Sequence, residues 1–196
     1  MTNLHWGILT PDIVSDYINF KRDEEWAYSA SDRESMPAKQ AEGVAYLWNL
    51  LSTQGLALLS DEVGMGKTIQ ALGVASLLWK LKPNAKVLVM APNKDICKGW
   101  MREFNTFVDL HYRHADHLVK NSVDGGPVPA VQFCQKLSDL ASAVESGVGH
   151  LYFTTIYSLS GLLSSDEKND HDKKISAKRA AGKVSVNSDN KCTTLD

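Results

Sequence analysis

The residues best suited to chemistry lie together at Asp61–Thr68, DEVGMGKT. Gly64 and Gly66 allow a tight turn and leave no Cβ between backbone and ligand, so that successive N–H groups can converge on phosphate oxygens. Lys67 supplies a point charge suited to the β and γ phosphates, and the Thr68 hydroxyl suits the Mg²⁺ that travels with a nucleotide. Glu62, Val63 and Met65 complete the loop, and a helix opening near Lys67 adds the positive end of its dipole. The expectation is a phosphate loop holding ATP and Mg²⁺. The string departs from the strict GxxxxGK[ST] pattern, because Asp61 stands in the place of the first glycine. On spacing alone the alternative is a Gly-rich turn that happens to precede a lysine. A dinucleotide fingerprint fits less well, since Ile69 takes the place of its third glycine.

A phosphate loop needs a strand before it and a helix after it. Leu56–Ser60 (LALLS) is a short apolar run after Gly55 and predicts a buried strand. The pattern that follows predicts a helix from about Lys67 to Leu81, with Pro83 just beyond. Lys86–Met90 (KVLVM) predicts a second strand closed by Ala91-Pro92, and Asp95–Phe107 has helical spacing through Ile96, Trp100, Phe104 and Phe107. Strand, helix, strand, helix implies a parallel sheet. Upstream, Pro37 suits a first helical turn, and Val44, Leu47, Trp48 and Leu51 form an apolar face ending at Gly55. Downstream, Asn121–Pro129 reads as a loop, Val131–Val144 as a helix, Gly149–Thr154 as a third strand and Ile156–Leu163 as a helical turn or two.

This order divides the chain into an N-terminal extension over residues 1–35, with a short helix around Asp12–Lys21, an α/β domain over 36–164, and a polar tail over 165–196. The tail has no packing face, so helix at best or disorder at worst is expected there. With 196 residues and 43% apolar content the chain can bury one real core. Its net charge of -2 implies neither a basic nucleic-acid wrapper nor an acidic tail, so any nucleic-acid contact must come from local patches. The start lacks a secretory pattern and no segment approaches the length of a membrane span, which predicts a soluble, cytoplasmic protein without membrane contact. The 3 cysteines are too scattered for a CxxC motif. His111, His114 and His117 (HYRHADH) lack the carboxylates or thiols that would complete a zinc site, and a polar loop or edge strand is the favoured reading.

With its flanks, LLSDEVGMGKTIQAL resembles motif I of Swi/Snf-type members of helicase superfamily two, which share a DE-x-G-x-GKT-x-Q core. PAKQAEGVAYL (Pro37–Leu47) resembles the family's Q-motif, and the resemblance gives Gln40 the role of reading the adenine edge. VLVMAPNKDICKGWMREFNTF (Val87–Phe107) is similar to motif Ia, through Pro92, Trp100, Arg102, Glu103 and Phe104. LYFTTIYSLSG (Leu151–Gly161) is similar to motif Ib. The resemblance implies a P-loop NTPase of RecA-like fold, a parallel sheet flanked by helices. It also implies double-stranded DNA or RNA as partner, with Pro92, Lys94, Lys98, Thr154 and Thr155 near its phosphates. Core packing is the plainer reading of Trp100 and Phe104, and a helix cap that of Thr154 and Thr155.

The family's hydrolytic motif, a strand ending in Asp-Glu-x-His, has no match here. Asp166-Glu167 follows two serines rather than an apolar strand. No catalytic residue is therefore expected in this chain. The fold is expected to be incomplete, the missing C-terminal half or second lobe is an expected partner, and the activity is that of an ATP-binding segment inactive alone. A complete small P-loop phosphotransferase, or a non-catalytic remnant, are the alternatives.

Overall fold

The computed structural model describes residues 4–82, 84–113, 131–146, 149–158, 184–186 and 192–194. Five helices are described: α1 (Pro11–Tyr17), α2 (Met36–Gln54), α3 (Lys67–Leu81), α4 (Lys94–Leu110) and α5 (Leu137–Glu145). The strands are β1 (Val87–Ala91), β2 (Val131–Cys134), β3 (Leu151–Thr155), β4 (Val184–Val186) and β5 (Cys192–Thr194).

The helix ends follow from local chemistry. Ser35 caps α2, its side chain accepting from the Ala38 amide, and Pro37 occupies the first turn where no N–H is needed. Gly55 ends the same helix. Asn93 caps α4 by accepting from Ile96 N at 2.9 Å. The expected helices at 67–81 and 95–107 are thus present, the second one extended at both ends.

β1, β3 and β2 form a parallel sheet with β3 in the middle. One face carries Val87, Val89, Leu151, Phe153, Val131 and Phe133 and packs into the main core. α4 lies on β1 and β3, α3 lies on α4, α2 on α3 and α1 on α2. Trp79 of α3 and Phe104 of α4 meet edge to face at 6.2 Å, and both are buried. Trp100 is half-buried against this same core. On the other face Tyr152 and Cys134 pack with Leu140 and Ala143 of α5, leaving Leu88 and Met90 of β1 exposed. The fold is an incomplete RecA-like α/β arrangement.

The N-terminal residues are built into this core. Leu9, Val14, Ile18, Phe20 and Trp26 are buried with the α2 and α3 side chains. Ile18 pairs with Tyr112 in an antiparallel bridge. Arg113 ties the segment to the end of α4 through Glu25 and the Trp26 and Ser15 carbonyls.

Three expectations need correction. Leu56–Ser60 forms no strand among the described residues, and Leu56 and Leu58 are 76% and 81% exposed. An apolar run becomes a strand only when a neighbour pairs with it, and none does so among the described residues. Val131–Val144 is not one helix. Its first four residues alternate inward as β2, where the β-branched and aromatic Val131 and Phe133 suit a pleated surface, and the helix starts only after Gln135-Lys136. In the tail, Val184–Val186 pairs antiparallel with Cys192–Thr194, where helix or disorder was expected. The predicted loop at Asn121–Pro129, His114, His117 and Asp166-Glu167 lie outside the described residues.

Candidate functional site

The loop that joins residue 60 to α3 is solvent-facing. Asp61–Gly64 are exposed and Met65–Thr68 half-buried. Gly66 is the N-cap of α3 with φ 73 and ψ 34, left-handed values that a glycine adopts without a Cβ penalty. Gly64 also has positive φ, at 92. No side chain caps the first turn of α3, so its amide donors remain open at the positive end of the helix dipole. Met65 N reaches Glu62 O at 3.4 Å, a long contact that closes the turn. Val63 is fully exposed at its tip.

The Lys67 ammonium folds back over the loop and donates to Asp61 O and Glu62 O, both at 2.7 Å. These acceptors are neutral carbonyls, so the positive charge is uncompensated by a carboxylate in either bond. An anion approaching the loop would meet a preplaced cation beside open N–H groups, an arrangement suited to phosphate.

α2 braces the loop from behind. Gln40 is buried and its Nε2 donates to Met65 O at 3.3 Å, lying so close to Gly66 that a Cβ there would sit 2.2 Å from it. Gln40 thus stands beside the loop. Gln70, which the motif I match includes but to which sequence reasoning gives no role, is also buried and donates to the same Met65 carbonyl at 3.0 Å. A legible signal exists for it: Gln70 shares the inward face of α3 with Gly73 and Leu77, at helical spacing, and is a polar residue where an apolar one is expected.

The residues assigned to nucleic acid gather at the carboxyl edge of the sheet. Pro92, Lys94 and Lys98 are exposed. Lys94 Nζ lies 5.6 Å from the Phe133 ring centre, and Lys98 pairs with Asp95 at 3.8 Å. Thr155 Oγ1 meets Ser158 Oγ at 3.0 Å, and Ser158 Oγ donates to Gln135 O at 2.8 Å, which joins the ends of β2 and β3. Thr154 differs from its neighbours. It is 1% exposed and its hydroxyl donates to Cys134 O at 2.9 Å, so it is not presented to a ligand in this conformation. An alternating strand sends successive side chains to opposite faces, and α5 covers the face that receives Thr154.

Two other features lie away from this edge. A cavity of about 370 Å³ opens between Ser15, Asp16, Glu25, Trp26, Ala27 and Arg113, with the guanidinium already committed as described. His111 is buried, with Nδ1 2.7 Å from Asn19 O and its ring stacked on Phe107. Among the described residues no cluster of three or more His, Cys, Asp or Glu could hold a metal ion, and no helix is long and apolar enough to cross a membrane. Cys97 and Cys134 are buried free thiols, and burial pushes both up from the ordinary thiol range.

The chain resembles known proteins over part of its length. It is 33% identical over 88 residues to chromodomain-helicase-DNA-binding protein 8 of Homo sapiens, which covers 44% of this chain and 3% of that protein. It is 35% identical over 75 residues to the ATP-dependent helicase fft3 of Schizosaccharomyces pombe, covering 36% of this chain and 8% of the relative. Protein CHROMATIN REMODELING 24 of Arabidopsis thaliana is 40% identical over 68 residues, 34% of this chain and 6% of the relative. The chain thus spans less than a tenth of the length of these curated relatives. No solved structure matches it. The SNF2-related domain model matches residues 39–180. The chain belongs to the SNF2-related family, as a segment of a Swi/Snf-type superfamily two ATPase of P-loop, RecA-like fold.

Proposed function

We propose that this chain is the ATP-binding segment of a nucleic-acid-dependent, translocase-like ATPase and does not turn over ATP alone. The observation that carries the reading is the opening of α3: a left-handed Gly66, first-turn amides without a side-chain cap and a Lys67 ammonium bound to two loop carbonyls. These groups fit a triphosphate with its magnesium ion. The amides from Gly64 to Thr68 would cradle the phosphates together with Glu62, Val63 and Met65 of the loop, Lys67 would hold the β and γ phosphates, and the Thr68 hydroxyl would ligate Mg²⁺. The adenine-reading role that the resemblance gives Gln40 would require its amide, buried and donating to Met65 O, to turn toward the base. When bound, the metal neutralises phosphate charge and makes the terminal phosphoryl a better electrophile.

The chain's own residues bind and orient, and the hydrolytic step is assigned to polypeptide outside this sequence: the acidic strand motif and the arginines of a second lobe. The exposed Leu56 and Leu58 and the exposed Leu88 and Met90 on β1 support that assignment, because each is apolar surface without a cover among the described residues. Double-stranded DNA or RNA would lie along Pro92, Lys94, Lys98 and Thr155. Residues 1–35 would form an N-terminal extension, 36–164 a partial ATP-binding domain and 165–196 a polar tail. The chromatin-named relatives favour a setting beside DNA over a general cytoplasmic one.

Calorimetric titration of Mg-ATP into the chain and into Lys67→Ala tests the reading. A charge-assisted contact is worth about 1.5–3 kcal/mol, so the variant should bind at least ten-fold more weakly. Equal affinity for the two chains would refute it. DNA-stimulated hydrolysis should appear only in a longer chain that includes the acidic motif and the second lobe.

A further inference from the structure

We infer that Gln70 is a positioning residue that holds the phosphate loop in its closed shape, an inference that rests on the nucleotide-binding reading of that loop. Gln70 lies in α3, yet its side chain turns back to the segment before the helix. One amide nitrogen donates to Met65 O at 3.0 Å, near the end of the loop, and approaches Asp61 Oδ2 at 3.4 Å, at its start. The two ends of the turn are thereby tied to one atom. The Met65 carbonyl, which also receives Gln40 Nε2, is turned inward by these two donors. Because the peptide is planar, turning that oxygen inward fixes the opposite direction for the Gly66 N–H of the same unit.

The tether is fixed in space by α2. A Cβ on Gly43 would lie 2.1 Å from Gln70 Oε1 and 3.0 Å from its Cδ, so the carboxamide rests where only a glycine leaves room. Gln70 Oε1 is buried with no hydrogen-bond partner among the described residues. A buried acceptor left unpaired is costly, and an apolar side chain would fill the slot without that cost. The donor side of the amide therefore accounts for a glutamine here, and its only described acceptors are the two loop oxygens. α2 supplies both halves of the brace, with Gln40 against Gly66 and Gly43 against Gln70.

The test has two readouts on the purified chain and on Gln70→Met, which keeps the length of the side chain and removes the donor. In ¹⁵N spectra without nucleotide, the amides of Gly64–Thr68 should move toward unstructured positions while those of α2, α4 and β3 stay in place. In a titration, Mg-ATP should bind about ten-fold more weakly, the equivalent of one lost hydrogen bond. Gly43→Ala leaves every donor in the molecule and should reproduce both effects by evicting the carboxamide. The penalty of Gly43→Ala should vanish in a Gln70→Ala background, where the slot is empty. If Lys67→Ala weakens Mg-ATP binding but Gln70→Met changes neither spectrum nor affinity, the tether is overturned and the nucleotide site stands. If Lys67→Ala has no effect, the nucleotide reading falls, and the loop spectrum alone decides on the tether. Loss of a cooperative melt in both Gln70→Met and Gly43→Ala would overturn it too, by making Gln70 an ordinary core residue.

Discussion

Replacing Gly66 by alanine makes two separable demands on the loop. At φ 73 and ψ 34 an L-residue is in left-handed backbone, which costs about 1–2 kcal/mol. The new Cβ would also stand 2.2 Å from Gln40 Nε2, far inside contact distance, so Gln40 must turn away from the Met65 carbonyl. That hydrogen bond is long at 3.3 Å, and its loss costs ~0.5–1.5 kcal/mol. The sum is about 1.5–3.5 kcal/mol against a total stability of roughly 5–15 kcal/mol.

Gly64 separates the two costs. It has a similar positive φ of 92, but a Cβ there meets nothing within 4 Å. Gly64→Ala should therefore show the backbone cost alone, about 1–2 kcal/mol. The gain from a stiffer unfolded chain is shared by both variants and cancels in their difference. Urea denaturation of the two proteins should put Gly66→Ala lower by about 1 kcal/mol, and Mg-ATP should bind it less tightly than it binds Gly64→Ala. Equal midpoints and equal affinities would refute the packing of Gln40 on the loop, and with it the view that α2 shapes the site.

Three further outcomes are expected. Leu58→Lys should change stability by no more than about 0.5 kcal/mol, since the side chain is 81% exposed; a loss of several kcal/mol in urea denaturation would mean that the run is a buried strand after all. Glu42 accepts from Tyr28 Oη at 2.7 Å and Arg33 Nε at 2.9 Å, and these bonds hold its carboxyl below the usual 4.5. With the folded value lowered, its stabilisation is complete above the unfolded value and lost as pH falls through the folded one, so the stability gap between the native chain and Glu42→Gln should close on acidification; a gap that stays constant from neutral to strongly acid pH would contradict this. Removing Lys94 and Lys98 together should lower the salt dependence of DNA binding by about 1–2 in log-log slope, and an unchanged slope in fluorescence titrations would remove the pair from the interface.

The parts of this fold that can be read from sequence are those whose signals are local. α2 has its serine cap, first-turn proline and terminal glycine within one contiguous stretch, and α3 begins at the lysine that ends the glycine turn. β1 and β3 are apolar runs whose partners are each other, so their burial is realised within the described residues. Leu56–Ser60 is equally apolar and yet leaves Leu56 and Leu58 exposed, because a strand is a relation between segments and no neighbour among the described residues pairs with it. β2 was hidden for a related reason. Four residues carry too little periodicity to separate from the helix that follows, and their partners in β3 lie 20 residues further along the chain. The burial of Thr154 follows from its register in the central strand, under a helix that the motif match does not mention.

The unpaired Leu56–Ser60 run raises a question about the loop that follows it, since a phosphate loop ordinarily hangs from the end of a sheet strand. Here its anchors lie elsewhere. Lys67 Nζ holds the Asp61 and Glu62 carbonyls, Gln40 and Gln70 hold the Met65 carbonyl, and Gln70 reaches the Asp61 carboxylate. Each of these donors belongs to α2 or α3, and those helices pack on one another and, through α4, on the sheet. The turn can therefore keep its shape although the run before it pairs with no strand among the described residues, because its position is set by helix packing rather than by a ladder of backbone bonds. On the proposed reading, binding and hydrolysis would then have separate structural requirements: the packing of α2 and α3 would shape the phosphate cradle, while the acids that cleave the nucleotide would be supplied from elsewhere.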